Sequence, residues 1–197
     1  MSPPGGRRPV PHNVYAIEDE QLPLPNPIAL DTSFVVEALL PTEPLHAVCD
    51  AFLKRIFDSG VTVVTSELLR LELAETAFAN AMKERWAGKW RAHRTDGRSR
   101  PRAGRRMNDT ISRYQALLAP VDHIPVPPGD ITTVAIDFMT KYGLASYDAA
   151  HAASAVSAGA NTIVTTDTGF ALMPASLLTV YTDRSRLASC RKKRPRG

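Results

Sequence analysis

Short apolar runs alternate along the chain with segments whose apolar residues recur every three or four positions. The runs are buried-strand candidates, and they cover residues 28–30, 61–65, 162–165 and 178–181. The helical spacing predicts helices over about residues 34–40, 43–59, 66–90, 107–118, 131–142 and 146–158. Strands and helices that alternate in this way are typical of an α/β domain with a mainly parallel central sheet.

Glycine, serine and proline mark several predicted boundaries. Gly60 and Gly143 follow helical segments and are suited to end them, since glycine tolerates the left-handed conformation common at a helix C-terminus. Ser146 is suited to cap the helix that comes next. Pro125 lies in the strand candidate 124–126 and cannot donate a hydrogen bond to a sheet. This strand is therefore expected at a sheet edge or as an extended loop.

Composition predicts one folded domain with appendages. The 197 residues are 44% hydrophobic, which is enough for one core of ordinary size. Residues 1–27 contain seven of the sixteen prolines and are expected to form a flexible leader, followed by a domain over 28–183 and a tail over 184–197. No apolar stretch approaches the ~18 residues of a membrane helix. The two cysteines lie far apart, so a soluble protein of the reducing cytoplasm is expected.

Positive charge is concentrated in two segments. Residues 83–106 hold ten Lys or Arg against two acids, and residues 184–197 hold seven and no acid. The remainder of residues 28–183 has five basic residues and fifteen acids. Basic segments on an acidic body favour RNA or DNA as a partner, because each neutralised phosphate releases bound counterions. A merely solvated surface is the alternative explanation.

The first basic segment is expected to be an inserted loop, because Gly97, Pro101 and Gly104 oppose regular structure. Trp86 and Trp90 lie among its cations, and they either stack on unpaired bases or anchor the insert to the domain. The candidate RNA-binding residues are Arg85, Lys89, Arg91, Arg94, Arg105 and Arg106.

Four acids stand where an apolar run ends or a helix begins. Asp31 and Asp167 follow strand candidates, and Glu72 and Asp148 lie in helices that start at the same edge of the predicted sheet. Acids that converge there need cations to neutralise them, so the pattern predicts a divalent-metal nuclease centre. Each acid also has a local explanation: a helix N-cap for Asp31, the helix dipole for Asp148, an Asx turn for Asp167 and a solvated helix face for Glu72.

Two assignments stay open at this stage. Glu67 and Glu75 lie on the same predicted helix as Glu72 and compete with it. His151, three positions after Asp148, is either a ligand or base of the site or a packing and supporting residue. The supporting role is favoured, because hard cations prefer carboxylate oxygen.

Four sequence blocks, in this order, resemble the PIN-domain nucleases, and most closely the VapC-type toxins of bacterial toxin-antitoxin pairs. The blocks are Ala29-Leu-Asp-Thr-Ser33, Ser66-x5-Glu72, Ser146-Tyr-Asp-Ala-Ala-His-Ala-Ala153 and Ile163-Val-Thr-Thr-Asp-Thr-Gly-Phe170. The resemblance covers about residues 28–183 and implies a three-layer α/β/α fold. It also implies that Asp31, Glu72, Asp148 and Asp167 are catalytic and hold Mg²⁺ or Mn²⁺, with Thr32, Ser33 and Thr165 as supporting hydroxyls.

The function implied by the resemblance is hydrolysis of RNA, with a cognate antitoxin that blocks the site and a homodimer like that of many relatives. This sequence departs from the family pattern in the long separation between Glu72 and Asp148 and in Thr166, where many members carry Asn. A non-catalytic RNA-binding or regulatory protein with the same fold is the alternative function. An aspartyl phosphatase starting from Asp31 is a third, but it usually needs a second Asp where this chain has Ser33.

Overall fold

The computed structural model describes residues 13–193, which fold around a six-stranded sheet. Its strands are β1 (Val14–Ala16), β2 (Ile28–Leu30), β3 (Val63–Ser66), β4 (His123–Val126), β5 (Thr162–Val164) and β6 (Thr179–Thr182). The strand order is β1-β6-β5-β2-β3-β4, and every neighbouring pair is parallel. The predicted α/β class with a parallel sheet is confirmed.

Seven α-helices of residues 13–193 cover the two faces of the sheet. They are α1 (Thr32–Leu39), α2 (His46–Asp58), α3 (Leu68–Trp86), α4 (Ser99–Leu118), α5 (Pro128–Tyr142), α6 (Ser146–Ser157) and α7 (Leu187–Lys193). Helices α1 to α4 pack on one face and α5 to α7 on the other, which confirms three layers. None of these helices is long and apolar enough to cross a membrane.

Side chains that alternate between the two faces of the central strands divide the hydrophobic core into two halves, one on each side of the sheet. In β2, Ile28 and Leu30 pack with α1 to α4, whereas Ala29 between them packs with α5 and α6. Val63 and Val64 divide in the same way in β3. Successive strand side chains point to opposite faces, so three or four apolar residues are enough to build both halves.

Residues 13–27 are not the flexible leader that their proline content predicts. β1 pairs with β6 at the edge of the sheet, and Val14, Ile17 and Leu22 are buried. The prolines of this segment fall after β1, in a connection that needs no sheet hydrogen bonds, and the hydroxyl of Tyr181 donates to the carbonyl oxygen of Pro23. The first twelve residues of the predicted leader lie outside the described part of the chain.

The basic segment 83–106 is largely helical, so the predicted loop is wrong. α3 continues to Trp86, a 3₁₀ helix covers Ala87–His93, and α4 begins at Ser99. Pro101 stands in the first turn of α4, where backbone N–H groups have no helical partner and proline is tolerated. The carboxylate of Asp96 accepts from the backbone N–H of Ser99 at 2.7 Å and caps this end.

The predicted basic tail is also folded over most of its length. Residues Arg184–Arg186 form a 3₁₀ helix and α7 follows, with Cys190 fully buried against the sheet. Residues 194–197 of the tail lie outside the described part. Among the boundary predictions, Pro125 lies in the edge strand β4 and Gly143 ends α5 with φ +70°, as expected. Ser146 is instead the first residue of α6, and Ala145 precedes it as the N-cap residue.

Candidate active site

The four predicted acids meet at the carboxyl edge of the central strands. Asp31 directly follows β2, and Asp167 follows β5 by three residues. Glu72 and Asp148 lie near the starts of α3 and α6, which begin at this edge. All four line one cleft of about 330 Å³, hereafter the acidic cleft. Ligand sites in parallel α/β sheets occupy this edge.

Asp31 is held by three donors on one carboxylate oxygen. Its Oδ2 accepts from the backbone N–H of Ser33 at 3.2 Å, from the Ser33 hydroxyl at 2.5 Å and from the Thr165 hydroxyl at 2.8 Å. The first contact makes Asp31 the N-cap of α1, so its local explanation is correct. The carboxylate is nevertheless buried, at 4% exposure, and its Oδ1 lies 3.8 Å from Nε2 of His151. Capping therefore uses one oxygen and leaves the other directed into the site.

Glu72 is the acid of α3 that enters the acidic cleft. Its Oε2 accepts from the Thr32 hydroxyl at 2.6 Å and lies 2.5 Å from Nε2 of His151. Glu75 instead pairs with Arg94 through two hydrogen bonds at the surface. Glu67 is exposed and lines a different groove. Of the three acids, only Glu72 therefore lines the acidic cleft.

His151 lies beneath the acidic cleft and is 2% exposed. Its Nε2 contacts Glu72 and lies 3.1 Å from the Thr32 hydroxyl, while Nδ1 has no hydrogen-bond partner among residues 13–193. Burial by itself lowers the pKa of His151. The hydrogen bond with Glu72 and the nearby carboxylates outweigh burial, so the pKa is raised above its usual value. This placement agrees with the supporting role favoured by the sequence.

Asp148 and Asp167 converge on the backbone of Gly169. A side-chain carbon at position 169 would lie 3.1 Å from Oδ2 of Asp148 and 3.3 Å from Oδ1 of Asp167. The same Oδ1 accepts from the N–H of Gly169 at 2.7 Å, which is the Asx turn expected from the sequence. Glycine thus lets two carboxylates approach one point, a role that the sequence pattern does not reveal.

The raised pKa of Asp148 reflects the clustering of the acids around it. Burial is the largest cause that raises its pKa, followed by the negative charges of Asp167 and Asp31. His151 opposes the shift and Glu72 adds to it, and the result is a pKa of about 6. An aspartate carboxyl is thus partly protonated near neutral pH unless a cation offsets its neighbours.

The donor chemistry of the acidic cleft suits a hard divalent cation. Its lining offers carboxylate and hydroxyl oxygens, which are the ligands that Mg²⁺ and Mn²⁺ prefer. Within residues 13–193, no three His, Cys, Asp or Glu side chains are already arranged around a single point as a metal site requires. The carboxylates instead bind hydroxyl, amide and imidazole groups of the chain. Asp148 and Asp167, which meet at Gly169, have the fewest such partners.

Two polar residues of the cleft wall were not predicted from the sequence. Glu37 and Thr76 line the acidic cleft from α1 and α3. Glu37 also accepts from the backbone N–H of Leu45 at 2.8 Å, so its carboxylate stabilises the turn between α1 and α2. Thr76 lies one turn after Glu72, which is the only sequence signal for its position. Thr166 joins the site through its backbone N–H, which donates to the Ser33 hydroxyl at 3.0 Å.

The candidate RNA-binding cations lie on a hairpin formed by the end of α3, the 3₁₀ helix and the start of α4. All six are exposed, but Arg94 pairs with Glu75 and Arg106 pairs with Glu84. Trp90 is 5% exposed, and the indole N–H of Trp86 donates to Ser99 at 3.1 Å. Both tryptophans therefore anchor the hairpin. The end of α3 lies ~20 Å from Glu72, given the rise of 1.5 Å per helical residue, but the chain turns back there, and Arg94 contacts Glu75, one turn beyond Glu72.

A family model described as the PIN domain matches residues 28–175 of this chain. The match contains all four acids of the cleft and the whole hairpin, and it excludes β1, β6 and α7. A search among curated proteins found no match.

Proposed function

Since this chain belongs to the PIN domain family, we propose that it is a divalent-metal-dependent endoribonuclease that hydrolyses RNA phosphodiester bonds. PIN domains are typically nucleases that act on RNA, and they usually bind divalent cations such as Mg²⁺. The observation that carries the proposal is the acidic cleft, where four carboxylates from separate parts of the chain line one space. Carboxylates this close together repel one another and destabilise the fold unless a cation offsets their charge. This is the reason to assign them a metal-binding role.

The residues of the acidic cleft divide into fixed and adaptable groups. Ser33 and Thr165 hold Asp31, and Thr32 and His151 hold Glu72, so these two carboxylates are oriented before any ligand arrives. Asp148 is half-buried and Asp167 is exposed, and they make fewer hydrogen bonds to the chain, so they are the adaptable pair. Mg²⁺ or Mn²⁺ held by these carboxylates would supply an activated water and offset the charge that develops on the scissile phosphate.

RNA as substrate is supported by the charged hairpin. A scissile phosphate must approach a wall of carboxylates, so affinity has to come from cations elsewhere on the surface. Arg85, Lys89, Arg91 and Arg105 are exposed, and no ion pair engages them within the described residues. Because α3 ends ~20 Å from Glu72, only an RNA of several nucleotides reaches both that end of the hairpin and the acidic cleft.

A more specific form of the proposal is that this ribonuclease is the toxin of a toxin-antitoxin pair. It is supported by the resemblance of the sequence blocks around Asp31, Asp148 and Asp167 to VapC-type toxins. In this proposal the enzyme acts in the cytoplasm, a cognate antitoxin covers the acidic cleft, and a homodimer forms as in many relatives. Growth arrest on expression of the wild-type chain, relieved by Asp31→Asn, would support it.

Cleavage of single-stranded and structured RNA in Mg²⁺ or Mn²⁺ tests the enzymatic proposal. The wild type is expected to release products with 5′-phosphate and 3′-hydroxyl ends, and EDTA should stop the reaction. Asp31→Asn should lower the rate on the order of a hundredfold, because an amide is a weaker ligand than a carboxylate and disturbs the Ser33 and Thr165 contacts. Glu67→Gln is the matched control, since Glu67 is an exposed acid outside the cleft.

Two outcomes would contradict the enzymatic proposal. If the wild type binds RNA in a salt-sensitive manner but shows no metal-dependent turnover, the alternative of a non-catalytic RNA-binding protein is correct. If the wild type and Asp31→Asn cleave equally, the observed activity does not come from the acidic cleft.

A further inference from the structure

The C-terminal helix α7 is fixed to the domain at several points. Cys190 is fully buried and Leu187 is partly buried against the same core. The Arg191 guanidinium lies 3.4 Å from the carbonyl oxygen of Val14 in β1. Ahead of α7, the buried carboxylate of Asp183 pairs with Arg186 at 2.8 Å. The position of α7 is therefore set by packing and hydrogen bonds rather than by exposed charges alone.

The last residue of α7 reaches the rim of the acidic cleft. The ammonium group of Lys193 donates to the hydroxyl of Thr168 at 2.6 Å. In the sequence, Thr168 lies between Asp167, whose carboxylate lines the cleft, and Gly169, beside which the carboxylates of Asp148 and Asp167 approach each other. Burial chiefly raises the pKa of Cys190, and the charges of Lys193 and Asp167 both act on this thiol as well. Helix α7, Lys193 and the loop that carries Asp167 and Thr168 are therefore close together in space.

A positive charge beside the acidic cleft would attract the phosphates of RNA, which the carboxylates of the cleft repel. Among the described residues that line the cleft, none is Lys or Arg. Of the hairpin cations, Arg94 is already paired with Glu75, one turn beyond Glu72, and Arg85 lies ~20 Å from Glu72 along α3. Lys193 uses one of its three N–H donors on the neutral Thr168 hydroxyl, so two donors and the full charge remain for a phosphate.

We propose that Lys193 binds a phosphate of the RNA backbone at the mouth of the acidic cleft and thereby positions the scissile phosphate against the carboxylates. The inference rests on the proposed ribonuclease function and extends it to a positioning residue. Lys193 lies outside residues 28–175, so the family match does not assign it a role.

Single substitutions in α7 test the inference, since deletion of the helix would remove Cys190 from the core. Lys193→Gln removes the charge, Lys193→Arg retains it, and Lys192→Gln is the matched control. Lys192 is exposed, and its side chain points ~100° away around the helix. Binding of a labelled single-stranded RNA is measured in the Asp148→Asn background at several salt concentrations, and KM and kcat are measured in the wild-type background.

Lys193→Gln is expected to weaken RNA binding about fivefold and to lower the slope of log affinity against log salt by about 0.7, the value for one phosphate contact on a single strand. KM should rise by a similar factor while kcat changes by less than about twofold, because the contact is made in both the ground state and the transition state. Lys193→Arg should restore most of the affinity. Lys192→Gln should have a clearly smaller effect.

Equal effects of Lys193→Gln and Lys192→Gln on affinity and salt slope would overturn the inference, leaving only a general attraction to a basic surface. A loss of kcat without a change in KM would overturn it too. If the wild type shows no cleavage at all, the proposed function fails, but the binding comparison still decides whether Lys193 contacts phosphate.

Discussion

Replacing Asp148 with asparagine is expected to reduce metal-dependent RNA cleavage on the order of a hundredfold or more while making the metal-free protein more stable. Activity falls because asparagine cannot supply the charge that holds a divalent cation next to Asp31 and Asp167. Stability rises because the substitution removes one of several negative charges crowded in the acidic cleft. An ordinary structural defect would lower activity and stability together.

The stability gain has a defined pH dependence. The pKa of Asp148 is raised from 3.8 to about 6 in the folded protein, chiefly by burial and then by Asp167 and Asp31. The folded state therefore holds its proton more tightly than the unfolded chain does. This contribution to stability is fully present below the ordinary aspartate pKa and is lost as the pH rises through about 6.

Denaturant unfolding without metal measures this effect. At pH 7.5, Asp148→Asn should be more stable than the wild type by on the order of 1–2 kcal/mol after allowance for solvent screening, and the difference should disappear near pH 4. Asp109→Asn, at an exposed position of α4, is the control and should show no such trend. Saturating Mg²⁺ should stabilise the wild type more than Asp148→Asn. A variant that is less stable than the wild type at pH 7.5 would show that the cleft charges do not repel as described.

Replacing His151 with glutamine is expected to cost about 2–4 kcal/mol of stability at pH 6 and to impair cleavage. The imidazole is 2% exposed and provides the nearest positive charge to Glu72 and Asp31. Glutamine can still hydrogen-bond Glu72 but carries no charge and has a different shape. Two carboxylates are then left without their buried cation, and Glu72 loses its fixed orientation.

The cost should depend on pH in the metal-free protein. Since the folded pKa of His151 is raised, the stabilisation from its charge is fully present below the ordinary value of 6.5 and is lost as the pH rises through the folded value. The difference between wild type and His151→Gln should therefore be larger at pH 6 than at pH 9. His93→Gln, on the hairpin, is the control. A difference that is small, or independent of pH, would show that His151 acts only by filling space.

Local patterns in the sequence predicted the centre of the fold well. The apolar runs at Ile28–Leu30 and Ile163–Val164 form adjacent central strands, and the rule that ligands bind at the carboxyl edge of such strands led to Asp31 and Asp167. The structure brings all four predicted acids into one cleft, and their catalytic roles stay predictions. The cap and turn explanations of Asp31 and Asp167 are also correct, because a carboxylate that lines the cleft can accept a backbone hydrogen bond at the same time.

The errors arose where distant contacts override local composition. Val14 pairs with Val180, which is far away in the sequence. No local pattern in the proline-rich segment that contains Val14 predicts this strand. Pro101 and Gly104 break helices in isolation, but packing of Trp90, Met82 and Ala103 in a satellite core stabilises α4 through this region. Lys193 lies in the predicted basic segment 184–197, but its contact with Thr168 and the approach of two carboxylates to Gly169 join distant residues, so the sequence does not reveal them.

Anomalous diffraction from crystals grown with Mn²⁺ is the most direct test of the central claim, which is that the acids of the cleft share a divalent cation. We predict a manganese peak in the acidic cleft with carboxylate oxygens of Asp31 and Asp148 among its ligands. The same crystals of Asp148→Asn should lose the peak or show it much weakened. A wild-type map with no peak in the cleft, or with an ion that Asp31 and Asp148 do not share, would contradict the account.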